Sequence, residues 1–146
     1  MKPLFALILL FLCSFTIHWE NDFSRAKQTA LAEHKYILLN FSGSDWCGPC
    51  IRMHKEIFET ESFSTFASNQ LVMVNADFPR QKKNQLTRSQ QQQNEQLAER
   101  YDVAGHFPYT VLLSPDGNIV KAWDGLPHQG ITAFVAELKQ AMQPHN

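Results

Sequence analysis

Ser44-Asp45-Trp46-Cys47-Gly48-Pro49-Cys50 stands between an apolar run, Tyr36-Ile37-Leu38-Leu39-Asn40-Phe41, and the segment Ile51-Arg52-Met53-His54-Lys55-Glu56-Ile57-Phe58. The first run reads as a buried strand; the second reads as a helix with Cys50, Met53 and Ile57 along one face. Two cysteines at such a junction form a dithiol at a helix N-terminus, where free N–H groups and the helix dipole favour negative charge. The thiolate is the reactive form of cysteine, so this position lowers the pKa of Cys47 and makes it a nucleophile. Pro49 suits the first turn, because its missing N–H would have had no partner there. The backbone is expected to present Cys47 outward and keep Cys50 behind it.

Trp46-Cys47-Gly48-Pro49-Cys50 is identical to the active-site motif of thioredoxins, and the order strand, motif, helix matches as well. The chain resembles that family from about Phe23 to Met142. The resemblance implies an α/β thioredoxin fold, a central mixed β-sheet flanked by helices on both faces. It also implies a catalytic pair, Cys47 and Cys50, and a substrate-binding surface of Trp46, Gly48, Pro49, Phe107, Pro108 and Tyr109. In the family a proline at the start of a strand is cis and faces the dithiol. Pro108 matches it, preceded by Phe107 and followed by Tyr109-Thr110-Val111-Leu112. The backbone of Phe107 would then be free to pair with an extended substrate strand beside the sulfur. Pro108 lies 61 residues beyond Cys47, more than in a minimal thioredoxin, and a Gln-rich insertion accounts for the excess.

The implied activity is thiol–disulfide exchange, with Cys47 attacking a substrate disulfide and Cys50 resolving the mixed disulfide. Gly-Pro between the cysteines resembles the reducing thioredoxins, at about −270 mV, rather than strong oxidants at about −120 mV. Reduction of protein disulfides in the cell envelope is therefore the leading reading. It needs an electron donor, such as a membrane thiol carrier. Without one the dithiol would sit oxidised and act as an oxidase or isomerase. A third reading is a non-catalytic binding module of the same fold, docking through its insertion. Two positions depart from the family. Asn40 falls where thioredoxins carry a buried aspartate beneath the second cysteine, and Met73 falls where they carry its lysine partner. An amide cannot take a proton from Cys50. Neither Glu56 nor Asp45 is assigned that task; both are expected to be surface charges.

With 146 residues, 44% hydrophobic and 18% charged, the chain has the make-up of one globular domain. A net charge of −1 points to neither a nucleic-acid nor a membrane-surface partner. Residues 1–17 read as a secretory signal: Lys2 precedes a run from Leu4 to Ile17 that is apolar except for Ser14 and Thr16. Its removal leaves twelve basic and fourteen acidic residues, a net −2. The protein is then exported to the periplasm or cell envelope and meets the membrane only if the segment is retained or lipidated at Cys13. Phe11 and Leu12 argue against lipidation, which wants small residues before the cysteine. Once Cys13 is discarded, Cys47 and Cys50 are the remaining thiols, so a structural disulfide scaffold is excluded. A zinc site of Cys47, Cys50 and His54 lacks a second ligand pair, and Ile51 excludes a Cys-x-x-Cys-His haem attachment. No metal and no cofactor beyond the dithiol are expected. A monomer is expected.

Residues 18–146 then form one domain. Asn21 or Asp22 is expected to cap a helix to about Lys35, with Phe23, Ala26, Ala30 and Leu31 inward. A short helix follows at 62–69, then a strand, Leu71 to Asp77, ended by Phe78-Pro79. The insertion at about 80–96 contains seven glutamines and reads as a solvated loop running into a helix whose later part, Asn94 to Tyr101, carries Leu97 and Tyr101. Ser114-Pro115-Asp116-Gly117 is a turn between the Pro108-led strand and a returning strand, Asn118 to Trp123. A final helix at 128–143 carries Ile131, Phe134, Val135, Leu138 and Met142 on one stripe.

Overall fold

A computed structural model describes residues 17–102 and 104–143. The signal reading of residues 1–17, Cys13 included, lies outside these residues except for Ile17. Five strands form one sheet in the order β1-β3-β2-β4-β5. They are β1 (Trp19–Glu20), β2 (Tyr36–Ser42), β3 (Leu71–Asp77), β4 (Tyr109–Leu113) and β5 (Ile119–Asp124). The pairs β1–β3 and β3–β2 are parallel, and β2–β4 and β4–β5 antiparallel, so the sheet is mixed. β1 is too short to announce itself by periodicity, and the sequence reading had no strand there.

Because both faces are covered, the central strand is apolar without alternation. Ile37, Leu39 and Phe41 point to one side, against Ala26 and Ala30 of α1 (Phe23–Glu33) and Leu97 and Tyr101 of α4 (Arg88–Tyr101). Leu38 points to the other side. There it meets Met53 of α2 (Gly48–Met53), Phe63 of α3 (Glu61–Gln70), and Phe134 and Leu138 of α5 (Gly130–Ala141). The expected faces of the active-site helix and the last helix hold: Cys50, Met53, Ile57, Phe134 and Leu138 are all buried. Leu31 is a correction, being 49% exposed. α1 packs through the small side chains of Ala26 and Ala30, and Leu31, one residue on, is turned about 100° from that seam.

The helix caps are local. Asp22 accepts from the amides of Ser24 and Arg25 at 2.8 and 3.2 Å, and Thr60 caps α3 through the Phe63 amide at 3.4 Å. Such caps are worth about 1 kcal/mol each. After Met53 the active-site helix widens into a π-helical turn, His54–Phe58, which the sequence reading had as plain α-helix. The larger revision concerns the insertion. Its helix begins at Arg88, behind a Thr87 cap, so the run Gln90 to Gln93 is helical and Asn94 to Tyr101 is the later part of the helix, as expected. Gln90 and Gln93 donate to the Asn21 carbonyl at 3.0 and 2.9 Å, and Gln93 Oε1 accepts from the Phe23 amide at 3.1 Å. These glutamines fasten α4 to the start of α1 and are not merely solvated.

Candidate active site

The strand β2 ends at Ser42, and the chain turns at Gly43, whose carbonyl accepts from the amides of Trp46 and Cys47 at 3.3 and 2.9 Å. A side chain at Gly43 would collide with the Trp46 indole. That residue therefore has to be glycine for the ring to lie across the turn, a constraint invisible in the motif itself. The indole N–H donates to the Phe78 carbonyl at 2.8 Å, fixing the ring against the end of β3.

Cys47 is the N-cap of α2, in extended conformation, and Pro49 falls in the first turn. Cys47 and Cys50 are joined as a disulfide. The Cys50 amide donates to Cys47 Sγ at 3.2 Å. In the reduced protein the same donor faces a thiolate, and a hydrogen bond to the charged form lowers its pKa. Cys47 is 5% exposed and Cys50 1%. Cys47 is thus the less buried residue of the pair, although more covered than the sequence reading supposed. Gly48 and Pro49 are exposed beside it.

The Phe107–Pro108 bond is cis, and Pro108 is buried immediately before β4. Phe107 meets Trp46 edge-on, with ring centroids 5.6 Å apart, and Phe78 at 5.4 Å. The Phe107 loop and the Trp46 turn are therefore in direct contact, although 61 residues separate the two aromatic side chains in sequence. Tyr109 is half-buried against Phe41, its ring 6.5 Å away. His54 is not set up as a metal ligand. Its ring lies between Trp19 and Phe58, each centroid 5.3 Å distant, and burial pushes its pKa down. Among the described residues no three His, Cys, Asp or Glu side chains are grouped to hold a metal ion.

Beneath α2, on the same face of the sheet as Met53, three strands contribute a row of polar groups, buried at Asn40, Ser42 and Thr110 and half-buried at Asn75 and Asp77. Thr110 donates to Asn40 Oδ1 at 3.0 Å, and Asn40 Nδ2 donates to Asn75 Oδ1 at 3.1 Å. Ser42 Oγ lies 3.0 Å from Asn75 Oδ1 and 3.3 Å from Asp77 Oδ1. Met53 Sδ is 3.9 Å from Thr110 Oγ1, joining the row to the active-site helix. The β2–β3 register explains the pairing, since Asn40 stands opposite Asn75 and Met73 opposite Leu38. Met73 is simply core. Asn75, which the sequence reading passed over, is the partner of Asn40.

Asp45 is a correction as well. Its carboxylate accepts from the amides of Arg80 and Gln81 and from Asn84 Nδ2, each at 2.9 Å. Those donors, the Arg80 amide first, hold its carboxyl below the usual range. Asp45 is the clasp that seats the start of the insertion beside Trp46. Glu56 does keep a surface role, pairing with Arg52 at 3.0 Å one turn away.

Comparison with known proteins agrees with this chemistry: residues 23–141 match the family described as thioredoxin-like domain, and the chain belongs to it. It is a thiol–disulfide oxidoreductase. It is 36% identical over 127 residues to the disulfide bond reductase DsbH of Chlamydia pneumoniae, covering 87% of this chain and 74% of that protein. The thioredoxin-related protein DsbJ of the same organism is 30% identical over 101 residues, covering 69% of this chain but 28% of that longer protein. A solved DsbH oxidoreductase structure superposes with a TM-score of 0.80 at 34% identity, covering 89% of this chain and 87% of that one.

Proposed function

We propose that this protein reduces protein disulfides in the cell envelope, with Cys47 as nucleophile and Cys50 as resolving thiol. The observation that carries the reading is the Cys50 amide directed at Sγ of Cys47, the less buried of the two cysteines. In the first step Cys47 thiolate bonds to one sulfur of the substrate disulfide and the other sulfur leaves as thiolate. Cys50 thiolate then attacks Cys47 Sγ, closing the Cys47–Cys50 bond and releasing the second substrate thiolate. The substrate gains two electrons and the dithiol loses two. A dithiol donor, for which a membrane thiol carrier is the fitting class, must return them. No cofactor beyond the cysteine pair is needed for this cycle.

Trp46, Gly48, Pro49, Phe107, Pro108 and Tyr109 form the proposed docking surface around the sulfur. Among the described residues the Phe107 N–H and C=O have no backbone hydrogen-bond partner. They are therefore free to pair with an extended substrate strand in the manner of strand addition. Export rests on the apolar N-terminal run after Lys2. Among the described residues no helix is long and apolar enough to cross a membrane. The reducing direction rests on Gly-Pro between the cysteines and on the reductase name carried by a 36% identical relative.

Insulin reduction tests the assignment. The wild type should turn over with a thiol donor, Cys47→Ser should be inactive, and Cys50→Ser should accumulate mixed disulfides through Cys47. A reduction potential near that of thioredoxin, at about −270 mV, is expected. A value near about −120 mV would make the protein an oxidant and overturn the direction.

A further inference from the structure

A cleft of about 610 Å³ opens beside the dithiol, on the side of the insertion. Trp46, Phe78, Leu86 and Phe107 supply apolar wall; Arg80 and Glu95 are its exposed charges, and Asp77, half-buried, also lines it with its carboxylate engaged by Ser42 and Ser44. Trp46 and Phe107 belong equally to the docking surface around Cys47, so a polypeptide held at the sulfur runs directly into this space. Arg80 stands at the dithiol end. Its guanidinium carbon lies 3.6 Å from the Trp46 ring centroid, stacked on the indole. Stacking uses the flat face of the group and leaves its N–H donors pointing outward in the plane, the geometry that grips a carboxylate bidentately. The nearby acid does not occupy them: Asp45 accepts from the Arg80 main chain, and its other bonds go to Gln81 and Asn84. Among the described residues Arg80 takes part in no ion pair.

We propose that this cleft is a substrate subsite and that Arg80 is a specificity-determining residue, selecting disulfides whose cysteine is flanked by an aspartate or glutamate. The proposal rests on the reductase reading and names its substrate class. Stacking on Trp46 places the charge beside the motif, and the Asp45 clasp holds its main chain there, so little ordering is left to be done when substrate arrives.

The test is a set of peptide disulfides identical except for Asp, Asn or Lys beside the cysteine, with kcat/KM measured for each. A small uncharged disulfide run alongside reports the dithiol separately. The wild type should favour Asp over Lys by roughly tenfold, a charge-assisted contact's usual share. Arg80→Ala should bring the ratio close to one, Arg80→Glu should invert it, and Arg80→Lys should keep part of it. Arg52→Gln, which removes an equal charge from the exposed face of α2, should leave the ratio unchanged. Turnover of all peptides without charge preference, or a preference abolished equally by Arg52→Gln, would overturn the subsite and leave the reductase standing. No turnover of any disulfide would overturn both.

Discussion

Asn40 lies wholly buried beneath the active-site helix, where the thioredoxin resemblance leads one to expect an acid. Its amide is matched on both sides, accepting from Thr110 and donating to Asn75. The fold has therefore solved the cost of burying a polar group there with neutral partners. A carboxylate at position 40 would set an acceptor against Asn75 Oδ1, and burial would favour its protonated form. Asn40→Asp should accordingly destabilise the protein more at pH 8 than at pH 5, by about 1–3 kcal/mol in urea unfolding. Equal stability at the two pH values would show that the site is hydrated and the row unimportant. The row contains one carboxylate, Asp77, at its outer end, where it takes the amide and hydroxyl of Ser44 at 2.8 and 2.5 Å.

Among the elements, the insertion is the one whose behaviour hinges on a single side chain. Its first residues form no long helix; a single 3₁₀ turn at Lys82–Asn84 is followed by three residues before α4. What seats them is the Asp45 carboxylate, with three donors converging on it. Asp45→Ala should raise amide hydrogen exchange at residues 80–85 roughly several-fold while leaving the strands β2 and β3 protected, because exposed segments open locally without global unfolding. Unchanged exchange across 80–85 would mean that the glutamine contacts of α4 suffice. The same clasp explains why Arg80 stands over Trp46, so the element and the proposed subsite are tested by one variant.

For the whole molecule, two groups on different elements contribute to the acid side of the stability curve. Glu20 of β1 is gripped by Arg25 of α1 through contacts of 2.9 and 2.6 Å, and its pKa is lowered from 4.5 to about 2. The Arg25 side-chain hydrogen bond is the main cause, with the amides of Asp22 and Asn21 adding to it. Its stabilisation is complete above pH 4.5 and is lost as pH falls towards 2. His54 acts higher on the scale. Burial between Trp19 and Phe58 pushes its pKa below 6.5, against the opposing charges of Glu59 and Asp77. The unfolded chain binds that proton more readily, so stability begins to fall as pH drops below 6.5. Unfolding free energy measured against pH should therefore decline in two stages. His54→Gln should remove the first and Glu20→Gln reduce the second; a curve unaltered by either variant would refute the assignment.

The sequence by itself determined the dithiol, the strands on either side of it and most helix faces, and its resemblance to thioredoxins implied the cis Phe107–Pro108 bond. The first three follow from short-range rules: spacing along one helix, apolar runs of strand length, capping residues and turn residues. Cys50, Met53 and Ile57 were legible because their burial depends on positions three and four apart. The tertiary structure alone decided which distant groups meet. Asp45 finds its donors 35 to 39 residues on, and Gln93 finds Asn21 72 residues back. Nothing local distinguishes Asp45 from an ordinary surface acid, or Gly43 from an ordinary turn glycine. A hydrogen-bonding group is satisfied by whatever the folded chain brings within about 3 Å of it, and that proximity is a property of the packed sheet and its crossings, not of neighbours in sequence.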